Sequence, residues 1–393
     1  MPSAQLNPNL ARVFAPPVME ARRWVAEAAP VPGHALLNLS QAAPVDPPPP
    51  SLRRAMAAAM ERPETHLYGP VLGDTALRAA VAAHWSGLYG GTLVPEQVAI
   101  TAGCNQAFCT AISSVCAPGD GVLLPVPWYF NHRMWLEMSS VETQPLACDA
   151  EMLPDLDAAR AAITPTTRAI VLVTPNNPTG AEYSDTLLHA FYDLAREHGL
   201  ALILDETYRD FHAGEGAPHT LFSRPDWPET LIHLYSFSKV YRLTGHRTGA
   251  LICGEARLTE AEKILDSVTI CPPRLGQIAA LEGLATLAQW VAGERAEILA
   301  RRAALAAVFS ERLADWRILG LGAYFAYVEH PYALPSDALA KRLVEEAALL
   351  VLPGTMFTPA GDPQGARQLR IAFANADATG LRELGERLAG FTA

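Results

Sequence analysis

A lysine follows a short apolar run near the middle of the chain. The run at 232–235 predicts a buried strand, and Lys239 lies in the turn after its carboxyl end, where open α/β sheets carry their chemistry. Because lysines are mostly solvated, a lysine in such a turn is a candidate amine nucleophile that forms a Schiff base with a carbonyl group. Ser236, Ser238 and Arg247 supply the hydroxyl groups and the guanidinium that bind a phosphate. The cluster therefore predicts a site for an aldehyde that carries a phosphate.

The overall composition excludes several classes of protein. The chain has 393 residues, of which 50% are hydrophobic and 18% are charged, so it is long enough for about two globular domains. Its net charge of −11 argues against a nucleic-acid surface or a polybasic membrane contact, because both need clustered Lys and Arg. We therefore expect small molecules as partners, with no nucleic acid and no membrane.

The cysteines and the amino-terminal segment indicate the compartment. The six cysteines show no C-x-x-C spacing, so we expect reduced core residues and no metal centre. No apolar run approaches the ~20 residues that cross a bilayer. Residues 1–30 lack the pattern of a secretory signal. These features predict a cytoplasmic protein.

The elements that must position the lysine cluster alternate between strands and helices. Apolar runs at 98–101, 121–125, 169–173 and 200–204 predict strands, and the nearly continuous apolar run at 169–173 is typical of a parallel strand that is covered on both faces. The run at 249–253 predicts an added antiparallel strand, because mixed sheets often carry one. This order predicts a doubly wound α/β sheet with its functional loops at the carboxyl ends of the strands.

Several predicted strands end in residues that suit a bound ligand. Gly103 opens a turn before a helix, and the free N–H groups of a helix start bind anions. Tyr129 follows the strand at 121–125 and offers a face on which a flat ring stacks. Asp205 follows the strand at 200–204. These positions would surround the same edge of the sheet as Lys239.

The two ends of the chain differ from this central region. Residues 276–313 predict a long helical segment, and the block after it predicts an α+β unit that residues 1–46 would join. We therefore expect a large α/β domain at 47–290 and a small α+β domain built from 1–46 and 291–393.

Three motifs occur in a fixed order along the chain. They are Asn-Pro-Thr-Gly at 177–180, Asp-Glu-Thr-Tyr at 205–208 and Ser-Phe-Ser-Lys at 236–239, with Arg247 eight residues after the lysine. With this set the chain, from Tyr68 to Arg370, resembles the class I/II aminotransferase family of fold type I pyridoxal-phosphate (PLP) enzymes. The resemblance implies a mostly parallel, seven-stranded type of sheet with helices on both faces, a smaller α+β domain, and PLP as the cofactor.

The resemblance implies a role for each residue around the cofactor. Lys239 would hold PLP as a Schiff base and move the substrate proton, and Asp205 would pair with the protonated pyridine nitrogen. Asn177 and Tyr208 would bind the phenolic oxygen of the ring, while Tyr129 would stack on its face. The phosphate ligands would be Ser236, Ser238 and Arg247, together with the backbone of Gly103, Cys104 and Asn105.

Other positions concern the substrate and a neighbouring subunit. Arg370 resembles the arginine that clamps the substrate α-carboxylate with its bidentate fork, and Asn177 and Ala42 would also contact the substrate. The segment around Ala42 departs from the family pattern of a glycine before an acidic residue and proline, so this wall of the pocket differs. Tyr68 looks like the tyrosine that reaches the phosphate of the neighbouring active site, which implies a homodimer. Arg274 is the nearest candidate for a second, side-chain-binding arginine, the alternative being a surface or interface charge.

The resemblance implies an aminotransferase that works in two half-reactions. An L-amino acid would displace Lys239 from the Schiff base, leave its amino group on the cofactor as pyridoxamine phosphate and depart as a 2-oxo acid, and a second 2-oxo acid would reverse these steps. A PLP-dependent lyase, decarboxylase or cyclase would use the same residues and is the alternative. A ligand sensor fused to a DNA-binding module is disfavoured, because no helix-turn-helix segment or basic extension precedes residue 50.

Overall fold

The central strands of the large sheet form from short apolar segments that are largely buried. The computed structural model describes residues 4–392. All residues of Gly121–Pro125 and of Ala201–Asp205 are buried, as expected for strands that helices cover on both faces. In chain order the strands are β1 Leu37–Asn38, β2 Val98–Thr101, β3 Gly121–Pro125, β4 Glu142–Leu146, β5 Thr167–Val173, β6 Ala201–Asp205, β7 Leu231–Ser236, β8 Gly249–Ile252, β9 Arg317–Gly322, β10 Phe325–Glu329, β11 Leu349–Leu350, β12 Leu352–Pro353 and β13 Gln368–Ile371.

Seven of these strands form one mixed sheet, in the order β2-β8-β7-β6-β5-β3-β4. Neighbouring strands are parallel, except that β8 runs antiparallel to β2 and to β7. This arrangement confirms the mostly parallel sheet and its antiparallel strand. Because β5, β6 and β7 are parallel neighbours, the residues that follow their carboxyl ends meet at one edge of the sheet.

Helices connect the strands and pack on the sheet. The helix Asp185–Glu197, for example, begins where the Ser184 hydroxyl accepts a backbone N–H. In chain order the helices are α1 Pro8–Arg12, α2 Pro17–Glu27, α3 Pro50–Met60, α4 Thr75–Tyr89, α5 Cys104–Val115, α6 Phe130–Met138, α7 Leu156–Ala162, α8 Asp185–Glu197, α9 Trp227–Thr230, α10 Phe237–Val240, α11 Glu255–Thr269, α12 Arg274–Thr286, α13 Ala288–Arg312, α14 Ser336–Ala347 and α15 Ala378–Ala389.

The sheet separates two apolar core clusters. Along β6, Leu202 and Leu204 belong to one cluster and Ile203 to the other, because successive side chains of a strand point to opposite faces. The segment predicted to be helical at 276–313 consists of two helices, α12 and α13, that meet at Leu287. Gly293 lies within α13 and does not interrupt it.

The carboxyl-terminal block forms a second, smaller sheet. Its antiparallel strands have the order β12-β13-β10-β9, and β1 from the amino-terminal arm pairs with β11. The proposed division into domains stays a prediction, and its boundary at 290–291 would fall inside α13. No helix in the described part of the chain is both long and apolar enough to cross a membrane. The cytoplasmic location also stays a prediction.

Candidate active site

A cavity of about 400 Å³ opens at the carboxyl ends of β5, β6 and β7. Its walls come from several elements that are distant in sequence, because the loops that follow different parallel strands meet at the carboxyl edge of the sheet. The predicted site residues that line it are Cys104, Asn105, Tyr129, Asn177, Asp205, Tyr208, Ser236, Ser238, Lys239 and Arg247.

Lys239 lies in the one-turn helix α10 and is half-buried. Its Nζ donates a hydrogen bond to the carbonyl oxygen of Ala42 at 2.6 Å. Burial, together with the positive charges of Arg247 and Arg370, lowers the pKa of Lys239 to about 8. The neutral fraction of the amine at pH 7 is then about one tenth, which is far more than for a solvated lysine. The amine is therefore suited to act as a nucleophile or a base.

Asp205 ends β6 and is 4% exposed. Its Oδ1 accepts the backbone N–H of Thr207 at 3.0 Å, and its Oδ2 lies 3.3 Å from Nε2 of His132. Burial alone would raise the pKa of Asp205, but the hydrogen bonds from His132 and Thr207 outweigh it and hold this pKa below its ordinary value. The cavity therefore contains a carboxylate that stays ionised although it is buried.

His132 is a site residue that the sequence reasoning missed. Its ring stacks on Phe108 with 3.8 Å between the ring centres, and the ring of Tyr129 meets it at 4.9 Å. These two contacts fix the imidazole with Nε2 toward Asp205. The signal that could have revealed it is its position three residues after Tyr129, on the first turn of α6. Other lining residues that were not singled out are Gln41, Ala43, Val173, Thr207 and Thr244.

A second group of residues supplies donors for an anion. α5 begins at Cys104, so the N–H groups of its first turn have no partner within the helix. Gly103 has a φ of 88°, and a side chain there would collide with the guanidinium of Arg247. Glycine thus lets Arg247 approach the start of α5. The Ser238 hydroxyl is buried and has no hydrogen-bond partner among the described residues, although buried hydroxyls normally have one.

Arg370 in β13 lies against the cavity from the smaller sheet. Its Nη1 donates to Oδ1 of Asn177 at 2.9 Å, and its Nη2 donates to the carbonyl oxygen of Ser40. The rings of Phe325 and Phe357 lie 5.1 and 4.9 Å from the guanidinium carbon. Burial lowers the pKa of Arg370 to about 10, so the group remains charged at neutral pH. Because these partners are neutral, the charge is available for a carboxylate.

The tyrosines and the cysteine of the cavity are neutral groups. Tyr208 packs edge to face on Phe325 at 5.1 Å, and burial raises the pKa of Tyr208 well above its ordinary value. Burial also raises the pKa of Tyr129, whose hydroxyl donates to Oδ1 of Asn105 at 3.4 Å. The pKa of the Cys104 thiol is raised well above its ordinary value by burial and by the nearby carboxylate at 205. These groups can donate hydrogen bonds but do not provide an anionic nucleophile.

Three further predicted positions lie outside the cavity wall. Ala42 contacts the site through its carbonyl oxygen, which accepts from Lys239. Tyr68 is 80% exposed and lies away from the cavity of its own chain. Arg274 pairs with Asp74 at 3.2 Å and does not line the cavity.

Comparisons of sequence and of structure with known proteins all lead to aminotransferases. Residues 34–388 match the family model described as aminotransferase class I and II. The chain is 29% identical over 354 residues to L-glutamine--4-(methylsulfanyl)-2-oxobutanoate aminotransferase of Bacillus subtilis, covering 89% of this chain and 87% of that protein. It is 29% identical over 380 residues to valine--pyruvate aminotransferase of Mycobacterium tuberculosis, covering 92% and 93%. A single-mutant structure of Thermus thermophilus aspartate aminotransferase superimposes with a TM-score of 0.88 at 25% identity, covering 98% and 99%.

The chain therefore belongs to the class I and II aminotransferase family. The protein is an aminotransferase, which confirms the reaction class expected from the three motifs. Two half-reactions, with release of the first product before the second substrate binds, are the general scheme of aminotransferases.

Proposed function

We propose that this aminotransferase uses PLP in the cavity and that Lys239 and Asp205 are its central residues. The observation that carries the proposal is the presence of both groups in one cavity, an amine with a pKa of about 8 and a buried carboxylate that stays ionised. The donor set fits the cofactor, because the buried Ser238 hydroxyl without a partner and the free N–H groups of α5 suit a phosphate.

Different residues of the cavity would bind the ring, the pyridine nitrogen and the phosphate of PLP. When bound, PLP would supply an aldehyde and an electron-withdrawing ring that stabilises negative charge at the substrate Cα. Asp205, kept ionised by His132, would hold a proton on the pyridine nitrogen. Ser236, Ser238 and Arg247 would bind the phosphate together with the backbone at Gly103, Cys104 and Asn105. Tyr129 would stack on the ring.

The substrate would be oriented from the smaller sheet. Arg370 would bind the α-carboxylate, and Asn177 would share this position while also meeting the phenolic oxygen of PLP with Tyr208. The Lys239 amine, neutral in an appreciable fraction, would take the Cα proton and return it. Because Arg370 would fix the substrate α-carboxylate and α10 fixes the Lys239 amine, their relative positions would determine which bond at Cα lies near the base.

We further propose that the preferred amino acid has a neutral side chain. The ionised side chains among the described residues that line the cavity are Asp205, Lys239 and Arg247, and each has a role toward the cofactor. Arg274, the candidate for a side-chain carboxylate, is paired with Asp74. Half-reaction rates with a panel of amino acids test this. We expect neutral residues such as methionine, glutamine or valine to exceed aspartate by about 10-fold or more in kcat/KM, whereas a preference for aspartate would contradict it.

We also propose a homodimer in which Tyr68 reaches the neighbouring active site. Its exposure supports this, as does the exposure of Leu67, Val268 and Ile270, which are 66%, 69% and 45% accessible. The segments that carry these residues adjoin, because a Cβ added at Gly69 would collide with the guanidinium of Arg274. Mixing inactive Tyr68→Ala and Lys239→Ala proteins should restore activity in mixed dimers, which contain one site with both residues. A complete lack of restored activity in verified mixed dimers would contradict the shared site.

The central test uses the small number of lysines. The chain has three, Lys239, Lys263 and Lys341. After incubation with PLP and reduction with borohydride, peptide mass spectrometry should find the pyridoxyl group on Lys239. Lys239→Ala should lose the absorbance band of the lysine-linked cofactor and all measurable transamination, while the exposed-site control Lys263→Ala should keep both. Normal turnover in Lys239→Ala would refute the assignment.

A further inference from the structure

A second polar cluster lies next to the active-site strand but outside the cavity. Glu206 directly follows Asp205, yet its neighbours belong to the opposite core cluster, which contains Leu204 and Tyr89. Glu206, Tyr89, His219 and His233 are all 0% exposed. Burying a carboxylate costs folding free energy unless the charge is paired, so these neighbours must compensate Glu206.

One oxygen of Glu206 accepts hydrogen bonds from all three of the other side chains, Tyr89, His219 and His233. Oε2 lies 2.6 Å from Nε2 of His233 and 3.2 Å from Nε2 of His219, and it also accepts from the hydroxyl of Tyr89. Oε1 has no partner among the described residues. Burial alone would raise the pKa of Glu206, but the two histidines outweigh it and hold this pKa well below its ordinary value.

The neighbours of the histidines fix where the protons are. Nδ1 of His219 accepts the backbone N–H of Leu221 at 3.2 Å, and Nδ1 of His233 accepts the indole N–H of Trp85 at 3.5 Å. An N–H group cannot accept, so both Nδ1 atoms carry lone pairs and both Nε2 atoms carry the hydrogens that point to Glu206.

The same geometry argues against a metal ion at this position. The ligand atoms of Glu206, His219 and His233 lie within 4.8 Å of one another, which is compatible with a metal site. A histidine that binds a metal through Nε2 keeps its proton on Nδ1 and donates it to an acceptor. Here both Nδ1 atoms face donors. The cluster is therefore a hydrogen-bond network around one carboxylate.

Further charges complete this network beside the active-site turn. Nη1 of Arg209 donates to the Tyr89 oxygen at 3.1 Å, and its guanidinium lies 3.6 Å from the centre of the Trp85 ring. Asp210 lies 3.7 Å from Nε of Arg209 and accepts the hydroxyl of Tyr235 at 2.5 Å. The turn at 205–208 is thus followed directly by the buried guanidinium of Arg209 and its half-buried partner Asp210.

We propose that Glu206 is a positioning residue for Asp205 and Tyr208, an inference that rests on the proposed function. The carboxylate ties the end of β6 to His233 in β7, the strand that leads to Lys239, and its backbone N–H adds a bond to Leu234 at 2.9 Å. It also ties this turn to α4 through Tyr89. Arg370 and Asn177 are not part of this network. We therefore expect the loss of Glu206 to affect substrate binding less than it affects the electronic properties of the cofactor.

The test compares Glu206→Gln with the wild-type protein in two measurements. A glutamine has the same shape, but its amide cannot accept three donors at one oxygen and it leaves Arg209 with one counter-charge fewer. We expect kcat to fall about 10-fold while KM for the amino acid changes less than about 2-fold. We also expect the pH midpoint of the absorbance of bound PLP to move by about half a unit or more, because Asp205 and Tyr208 shift relative to the ring.

Glu182→Gln is the matched control. Glu182 accepts the backbone N–H of Ala213 at 2.9 and 3.1 Å and so holds the start of the loop that carries His219, without contacting the turn at 205–208. The Glu182→Gln substitution should leave kcat and the absorbance midpoint at their wild-type values. A Glu206→Gln protein that matches this control in both would overturn the positioning role alone, whereas wild-type protein that binds no PLP would overturn the proposed function as well.

A milder variant keeps the test decisive if Glu206→Gln does not fold. Tyr89→Phe removes one donor from the same oxygen and keeps the ring that packs in the core. We expect a smaller change of kcat and of the absorbance midpoint in the same directions. Wild-type values of both in folded Tyr89→Phe protein would overturn the inference.

Discussion

Arg370 donates a hydrogen bond from Nη1 to Oδ1 of Asn177 at 2.9 Å and thereby joins the smaller sheet to the large one at the active site. The two residues are far apart in the chain, and they meet because β13 places the guanidinium beside the loop after β5. A ligand carboxylate at this point would be bound by both parts of the molecule.

Arg370→Lys should weaken the enzyme through substrate binding. Lysine keeps a positive charge but loses the planar fork that holds a carboxylate with two hydrogen bonds. We expect kcat/KM for the amino acid to fall about 100-fold, mainly through KM, in steady-state kinetics. Arg367→Lys is the control, because Arg367 lies on the same segment but pairs with Glu329 at the surface. An unchanged KM in Arg370→Lys would show that another group binds the carboxylate.

His132→Phe should change the acid side of the activity profile. The phenyl ring can keep the stack on Phe108, but the hydrogen bond to Asp205 is lost. Burial then raises the pKa of Asp205 with less opposition, so protonation begins at higher pH as the solution is acidified. We expect the acid limb of the pH profile of kcat to move upward and kcat to fall about 10-fold or more. A profile that coincides with the wild type would contradict a role for His132 in keeping Asp205 ionised.

The amine of Lys239 should titrate near pH 8 in the protein without PLP. Burial and two arginines disfavour the charged form, so the neutral, reactive amine appears about two pH units below the range of a solvated lysine. The rate of modification by an amine reagent, followed by mass spectrometry of the peptide that contains Lys239, measures this midpoint. Lys263 and Lys341 provide internal references in the same sample. A midpoint near 10 for Lys239 would contradict the effect of its surroundings.

Stability should fall as the pH is lowered below about 6.5, the ordinary pKa of histidine. Burial lowers the pKa of His233 and of His330 in the folded protein. The unfolded chain therefore binds protons that the folded chain excludes, and the stabilisation present above pH ~6.5 is lost progressively as the pH falls toward the folded pKa values. Each unit of difference in pKa corresponds to about 1.4 kcal/mol.

Denaturant unfolding at pH 7.5 and 5.5 measures this loss in the free energy of unfolding. His330→Gln should reduce the difference between the two pH values, because one buried histidine no longer titrates. His198→Gln, at an exposed position, should leave the difference unchanged. Equal differences in His330→Gln and the wild type would contradict the contribution of His330.

The sequence by itself determined the sheet and the identity of the residues at its carboxyl edge. Runs such as 169–173 predict buried parallel strands because their apolar residues are continuous. The segments 177–180, 205–208 and 236–239 each follow such a strand, so parallel pairing brings Asn177, Asp205 and Lys239 to one edge. The position of these residues thus follows from patterns that are local in the chain.

Only the tertiary structure decided how these residues are tuned and supported. The pKa of Lys239 depends on Arg370, and the ionisation of Asp205 depends on His132, which a helix from another part of the chain presents. The three donors around Glu206 likewise come from separate elements. Burial and charge act through distances in space, and these distances arise from long-range packing that neither periodicity nor motif spacing encodes.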